Sequence, residues 1–358
     1  MMPGILSRYL VLMLVKRVVA SLAGFVGLLL LLATLDSATE ILDRGLGAAG
    51  IGYFLWLRLP TAVDQAMILA MLVGSVTTFT LLSRRSEMII LRAAGITIYR
   101  IALMMLPALL IYAAAHFLLA DQVKPVVQRD FALWWQATTP PEKLKDSRTV
   151  WFRASPDVVS AEAVRDSGRE LLNVEIYKRS KQDGMLISRM WSPKAVYVDN
   201  AWLLYDAELI RVDGPRIFRE GPFDTVWETS LRPEEAVDLA NPLSTLGSGT
   251  IRSALDGEAP ANRSQAYYLT HLNAAYATPL ASFVMFILGL VCAYGDRRSM
   301  AGEKQALFSL GIGMAFMLVN GIMVAFGEAG AIPPALAAWG ALTIFACVAG
   351  TILLRFEE

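Results

Sequence analysis

The 358-residue sequence is poor in the residues that most enzyme chemistry uses. It has two cysteines, Cys292 and Cys347, both inside apolar runs, and two histidines, His116 and His271. A disulfide framework or a cysteine-based zinc cluster cannot be drawn from so few thiols. Each histidine reads as an interfacial or packing residue, because a metal site needs several ligands. Charge is scarce as well. Asp, Glu, Lys and Arg make up 18% of the chain, against about 25% in soluble domains, and the net charge is zero. No global field draws a polyanion, so nucleic acid is not an expected partner. The P-loop pattern G-x-x-x-x-G-K-[ST] is missing, as are H-E-x-x-H, CxxC and G-x-S-x-G. What the chain has instead is 55% hydrophobic residues. They are unevenly spread: both ends are nearly charge-free and the middle is polar.

Crossing a bilayer core takes about 20 mostly apolar residues, and in lipid only a helix or a closed barrel satisfies its own backbone. Six runs qualify as helices: 18–35, 61–82, 101–120, 272–295, 306–327 and 329–354. The first is too long for a signal-peptide core, and Leu35-Asp36-Ser37 lacks a small-residue cleavage site. Basic residues collect on one side. Arg8, Lys16 and Arg17 precede the first span. Arg84, Arg85, Arg92 and Arg100 lie between the second and third, Arg297, Arg298 and Lys304 between the fourth and fifth, and Arg355 ends the sixth. The opposite loops carry only Arg44. Both termini are therefore predicted to be cytoplasmic, with the polar middle on the outer face.

That middle, 121–265, reads as β structure. Short runs rich in Val, Ile, Tyr and Trp begin at Thr149, Leu171, Lys194, Ala201 and Phe223. Turns are signalled at Asp166-Ser-Gly168, Asp183-Gly184, Asp199-Asn200, Asp213-Gly-Pro215 and Gly221-Pro222. The expectation is one sandwich or jelly-roll-like domain whose tryptophans are mainly core aromatics. A short amphipathic helix is expected over 243–255. The predicted organisation is a membrane part over 1–120, an all-β domain over 121–265 and a second membrane part over 266–358.

The stretch Leu82-Ser-Arg-Arg-Ser-Glu-Met-Ile-Ile-Leu-Arg-Ala-Ala-Gly95 reads as a short cytoplasmic helix over 84–95. Ser83 or Ser86 is placed to cap it, Gly95 to stop it, and Glu87 to reach Arg84 three residues back. It suits either a basic interfacial anchor or a helix whose apolar side enters a partner's groove while Glu87 meets a cation. Polar groups at membrane depth are expensive and so become functional candidates. Asp36 and Glu40 follow span one, Asn320 lies in span five and Glu328 closes it. Asp64 sits about one turn inside span two and needs a partner such as Arg58 or water.

Together these segments resemble the LptF/LptG-type permeases of the lipopolysaccharide-export ABC transporter, over essentially the whole chain. The specific element is Ser86-Glu-Met-Ile-Ile-Leu-Arg-Ala-Ala-Gly95. Arg8-Tyr9, Leu59-Pro60, Val150-Trp-Phe-Arg153, Trp202-Leu-Leu-Tyr-Asp206, Thr278-Pro279-Leu280 and Ala331-Ile-Pro-Pro-Ala335 accompany it. The wording is closer to the LptG branch. The resemblance implies a permease half that pairs with an LptF-like second permease around an outward V-shaped cavity for lipopolysaccharide. ATP and Mg would be bound by an LptB-like ATPase dimer, with no cofactor on this chain. An LptC-like single-span protein would sit beside span one, and the periplasmic jelly roll would pass the lipid on. Arg84, Arg85, Glu87, Met88, Leu91, Arg92 and Gly95 would form the coupling helix. Leu28, Leu31, Leu35, Asp36, Arg44, Arg58, Asp64, Phe316, Asn320 and Phe326 would line the substrate cavity. One feature departs from the family: LptG members carry lysines near the outer end of span one, and here that stretch is Ala33-Thr-Leu-Asp36-Ser-Ala-Thr-Glu40. Either the lipid is less phosphorylated or the partner permease supplies the charge.

Two other readings fit parts of the sequence. Lipoprotein-releasing and mechanotransmitting ABC permeases usually have four spans, with the large domain after the first. An intramembrane hydrolase would need Asp64 beside Asp36 or Glu328, and no base–nucleophile pair is visible in the sequence.

Overall fold

The computed structural model describes residues 3–139, 149–154, 157–180, 185–213, 216–240, 246–294 and 302–355. The turn signals at 183–184 and 214–215, Arg297 and Arg298, and the start of the helix expected from 243 lie outside them. The chain forms two compact units. One comprises residues 1–124 and 269–358, the other residues 125–268.

Among the described residues, six helices are long and apolar enough to cross a membrane. They are α1 (Pro3–Asp43), α2 (Gly47–Arg84), α4 (Ile98–Leu118), α8 (Gln265–Tyr294), α9 (Gly302–Glu328) and α10 (Pro334–Arg355), with the short α3 (Glu87–Ala93) between α2 and α4. Most overrun the apolar windows, because helical hydrogen bonding continues into the polar flanks where water also satisfies the backbone. Pro60, Pro107 and Pro279 lie inside α2, α4 and α8.

The core of this unit joins Leu10, Leu14 and Val18 of α1 to Met71, Leu72 and Phe79 of α2 and Met285 and Phe286 of α8. Phe79 and Phe286 meet edge to face at 5.6 Å. A Cβ on Gly74 would stand 2.7 Å from Val18 Cα. Only glycine allows this backbone approach, a common device where lipid offers helices no hydrophobic drive to associate.

The helical run beyond α4 passes through a π turn, Leu119–Val123, into α5 (Lys124–Thr138). The second unit then follows as an antiparallel sheet. Its strands are β1 (Val150–Ala154), β2 (Asp157–Ala161), β3 (Ala163–Arg165), β4 (Glu170–Arg179), β5 (Leu186–Val198), β6 (Ala201–Asp213) and β7 (Arg216–Trp227). They pair in the order β1-β2-β4-β5-β6-β7, with β3 also on β4, so chain neighbours are mostly sheet neighbours. Asp199 and Asn200 both take left-handed conformations in the tight β5–β6 turn, as that turn type requires. Gly221-Pro222 does not form the expected turn. It lies within β7 as a cis peptide bond, where the β6–β7 register shifts around Ala207.

The second unit closes its core with α6 (Pro233–Ala240), α7 (Ser248–Asp256) completing its helices. Trp202 is fully buried with Leu171, Val174 and Leu204, and its indole Nε1 donates to the Leu231 carbonyl at 2.8 Å. Trp227 joins it. Trp151 does not: it is exposed and stacks on Tyr177 at 5.8 Å.

Candidate functional site

The expected docking helix is shorter than its sequence suggested, and it presents a different face. Arg84 is the last residue of α2, and Arg85 caps it by donating its N–H to Leu81 O at 3.0 Å. Neither belongs to α3, which corrects the helix start at 84 and the Arg84–Glu87 pair. Ser83 also remains in α2. Ser86 occupies the N-cap position with φ +58, and its side chain makes no capping bond. This left-handed residue turns the chain so that Glu87 opens a new helix. At the far end the Gly95 N–H donates to Arg92 O at 2.9 Å and the Ile96 N–H to Leu91 O at 3.0 Å, with Gly95 at φ +75. That is a glycine stop of the Schellman kind.

Met88 is only 1% exposed and belongs to the unit's core, with Leu91 packed against it. These two residues hold α3 in place, so a partner's groove cannot receive Met88. The outward apolar residues are Ile89 and Ile90, with Ile90 65% exposed. A seven-residue helix resting on a core must divide its apolar residues between two sides. Arg92 is exposed. Glu87 carries an unexpected contact: the Tyr9 hydroxyl of α1 donates to its carboxylate, at 2.9 Å to Oε2 and 3.2 Å to Oε1. Arg85 Nη1 stands 3.8 Å from Oε1.

The expected cavity residues divide between surface and interior. Leu28, Leu31 and Leu35 of α1 are exposed, with Leu32 beside them. This is an apolar stripe at the i, i+3, i+4, i+7 spacing of one helical face. Phe326 is exposed on α9, in line with Leu318 and Ile322. Phe316 is not available to a lipid. It is 2% exposed and meets Phe345 of α10 edge to face at 5.2 Å. Asn320 is half-buried and Asp36 exposed.

The basic candidates are committed elsewhere. The Arg44 side chain is 3% exposed and Nη2 donates to Glu40 Oε1 at 2.6 Å, one turn back on the chain. Arg58 lies over the Phe54 ring at 5.6 Å. Asp64 pairs with neither Arg58, Asp36 nor Glu328. Lys124 Nζ donates to its Oδ2 at 2.7 Å, and His116 Nε2 stands 3.2 Å from its Oδ1. The π turn supplies the geometry, since its extra residue re-aims whatever follows it, and Lys124 is the first residue after it. His116 is fully buried. Glu328 instead accepts from His271 at 2.8 Å. The Asp64 dyad that a hydrolase would need is therefore not formed. His116 and Lys124 were legible in principle: a carboxylate inside an apolar run demands a cation or a hydrogen-bond partner, and the next span and the residues just beyond it offer these two.

On the second unit, charged residues pair across one sheet face. Arg189 Nη2 meets Glu175 Oε1 at 2.6 Å, and Arg219 Nη2 meets Glu208 Oε2 at 2.6 Å. Burial opposes ionisation of Glu175. Hydrogen bonds from Arg189 and Tyr177 outweigh it and hold the carboxyl below the usual range.

The chain matches the sequence profile of the lipopolysaccharide export system permease LptF/LptG family over residues 8–355. It is 21% identical to the lipopolysaccharide export system permease protein LptG of Escherichia coli strain K12 over 359 residues, covering 98% of both chains. It is 23% identical to the LptG of Haemophilus influenzae over 327 residues, covering 89% of both.

Proposed function

The chain belongs to the LptF/LptG family of lipopolysaccharide export permeases, and from that premise we propose that it is a permease subunit moving lipopolysaccharide out of the membrane. The observation that carries this is the match over residues 8–355, which takes in both membrane segments and the inserted β unit together. Six apolar helices, with large apolar side chains exposed on α1, α4, α9 and α10, suit a chain that shares a lipid-filled space with a partner. In this reading it works beside an LptF-like permease, an LptB-like ATPase dimer and an LptC-like single-span protein. ATP and Mg are bound by the ATPase subunits, and the chain itself performs no catalysis. Both termini face the cytoplasm and the β unit faces the periplasm of a Gram-negative inner membrane.

The mechanism assigns three tasks to this chain's own residues. Ile89 and Ile90 enter an apolar groove of the ATPase subunit, and Glu87 meets a cation there, desolvating a charge only where it is paired. Leu28, Leu31, Leu35 and Phe326 contact acyl chains. Head-group charge is met chiefly by the partner permease, since Arg44 and Lys124 already neutralise acids of their own chain.

The test is purification of the chain from its native membrane under mild detergent, with mass spectrometry of the subunits and lipid that come with it. The reading expects an ATPase, a second permease and lipopolysaccharide. Recovery of a different ABC assembly with no lipopolysaccharide refutes it.

A further inference from the structure

Glu87 is not an isolated exposed acid. Its carboxylate is held by a phenol that lies 78 positions earlier in the chain, on another helix. The Tyr9 hydroxyl reaches both carboxylate oxygens, closer to Oε2, and Arg85 Nη1 stands 3.8 Å from Oε1. A carboxylate has about four lone-pair sites, so a phenol donor leaves room for an ammonium or guanidinium from outside. A hydrogen bond to an ionised acceptor is also directional and stronger than a neutral one. It selects one rotamer of a side chain that otherwise samples many.

The contact also joins two separate helices, α1 and α3. α3 is anchored through Met88, and α1 is one unbroken helix from Pro3 to Asp43, about 60 Å long at 1.5 Å per residue. The start of α1 is tied in a second place, where the Ser7 hydroxyl donates to Met104 O of α4 at 3.0 Å. Beyond Val18, α1 is held mainly on one side, and its apolar stripe at Leu28, Leu31 and Leu35 is exposed.

We infer that Tyr9 is a positioning residue for coupling: its hydroxyl aims the Glu87 carboxylate at a cationic partner and passes displacement of α3 into α1. This rests on the docking role proposed above for Glu87. When α3 is loaded by a partner, the Tyr9–Glu87 bond and the buried Met88 carry that load into the same unit by two routes. The first is the polar link that ends directly on α1, which bears the exposed stripe at Leu28, Leu31 and Leu35.

The experiment uses the assembled transporter in lipid vesicles and compares Tyr9→Phe, Glu87→Gln and the double variant. Tyr9→Phe keeps the ring and removes only the hydroxyl. It is expected to leave complex yield and basal ATP hydrolysis unchanged while lowering lipid-stimulated hydrolysis and lipid release by about two- to tenfold, the worth of one net hydrogen bond. The double variant is expected to match Glu87→Gln, because a group that acts through another adds nothing once that other is gone. Impairment by Glu87→Gln with a silent Tyr9→Phe overturns the inference and leaves the docking role standing. Additive losses in the double variant also overturn it, since Tyr9 then acts independently of Glu87. A silent Glu87→Gln overturns the docking role and this inference together.

Discussion

α1 and α2 are both long apolar helices, yet they occupy opposite environments. The apolar window of α1 is 11% buried and that of α2 67% buried, although α1 is the more apolar of the two. In a soluble protein the most apolar element is the most enclosed. In a membrane, lipid solvates an apolar side chain as well as another helix does, so burial is decided by packing geometry and polar contacts. α2 is central because it carries Gly74 for close approach and Asp64 for a buried pair. α1 also carries glycines beyond Val18, but no atom of another element lies within 4 Å of where a Cβ on Gly24 or Gly27 would stand, so neither mediates a close approach. A peripheral apolar helix can exchange neighbours cheaply, which suits a helix that opens toward a lipid.

The sharpest way to break this comparison is to cut into the central helices and the peripheral one alike. Phe79→Ala on α2 removes the ring packed on Phe286 and is expected to cost about 3 to 5 kcal/mol. Leu31→Ala on the exposed stripe is expected to cost less than about 0.5 kcal/mol while lowering lipid release. Thermal unfolding of the detergent-solubilised full chain, paired with a release assay on the assembled transporter, checks both. Equal destabilisation would erase the distinction between the two helices.

Next in size is the polar pair on α2. Lys124→Met leaves Asp64 with His116 alone and is expected to cost about 3 kcal/mol, and adding Asp64→Asn is expected to recover most of that loss because no uncompensated charge remains. The double variant and the single are compared in the same unfolding assay. A single variant as stable as the parent would show that the pair contributes nothing.

In the β unit the effects are smaller. Trp202→Phe keeps most of the buried area but leaves the Leu231 carbonyl without its donor, an expected loss of about 1 to 2 kcal/mol. The measurement is the protection of the β6 amides against hydrogen exchange. Glu208→Gln weakens an exposed ion pair with Arg219 and is expected to change stability by less than about 1 kcal/mol. Glu175 gives a pH signature. Its folded-state carboxyl titrates below the ordinary glutamate range, so its stabilising contribution is complete above that range and disappears as pH falls through the folded value. Full-chain unfolding scans across acidic pH should show a slope that Glu175→Gln removes.

Much of this architecture was legible from residue order. The six spans are continuous apolar runs, a signal set by bilayer thickness and independent of neighbours. The runs beginning at Thr149, Leu171, Lys194, Ala201 and Phe223 announced themselves by β-branched and aromatic residues, and each lies inside an observed strand to within one residue. Strands β2 and β3 were missed because Asp157–Ala161 and Ala163–Arg165 are too short and mixed to show alternation. α5 was missed because it continues a span past its apolar limit through a π turn. The candidate site was only half legible. The stretch 84–95 stood out as a short helix, but its inward and outward faces did not. Four consecutive large apolar residues, Met88 to Leu91, carry no stripe from which to choose a side. Phe316 and Phe326 are alike in sequence, and ten residues along a helix places them on different faces of a bundle whose centre the sequence does not locate.

The chain alone determined which segments enter lipid and which face water, and where the short helix between α2 and α4 stops. These follow from transfer free energy and backbone stereochemistry, both local quantities. Only the tertiary structure decided that Met88 faces the core, that Asp64 answers to His116 and Lys124, and that Tyr9 holds Glu87. Each of those is a contact between residues whose meeting depends on how helices pack, and in lipid that packing is set by shape and polar pairing rather than by hydrophobicity.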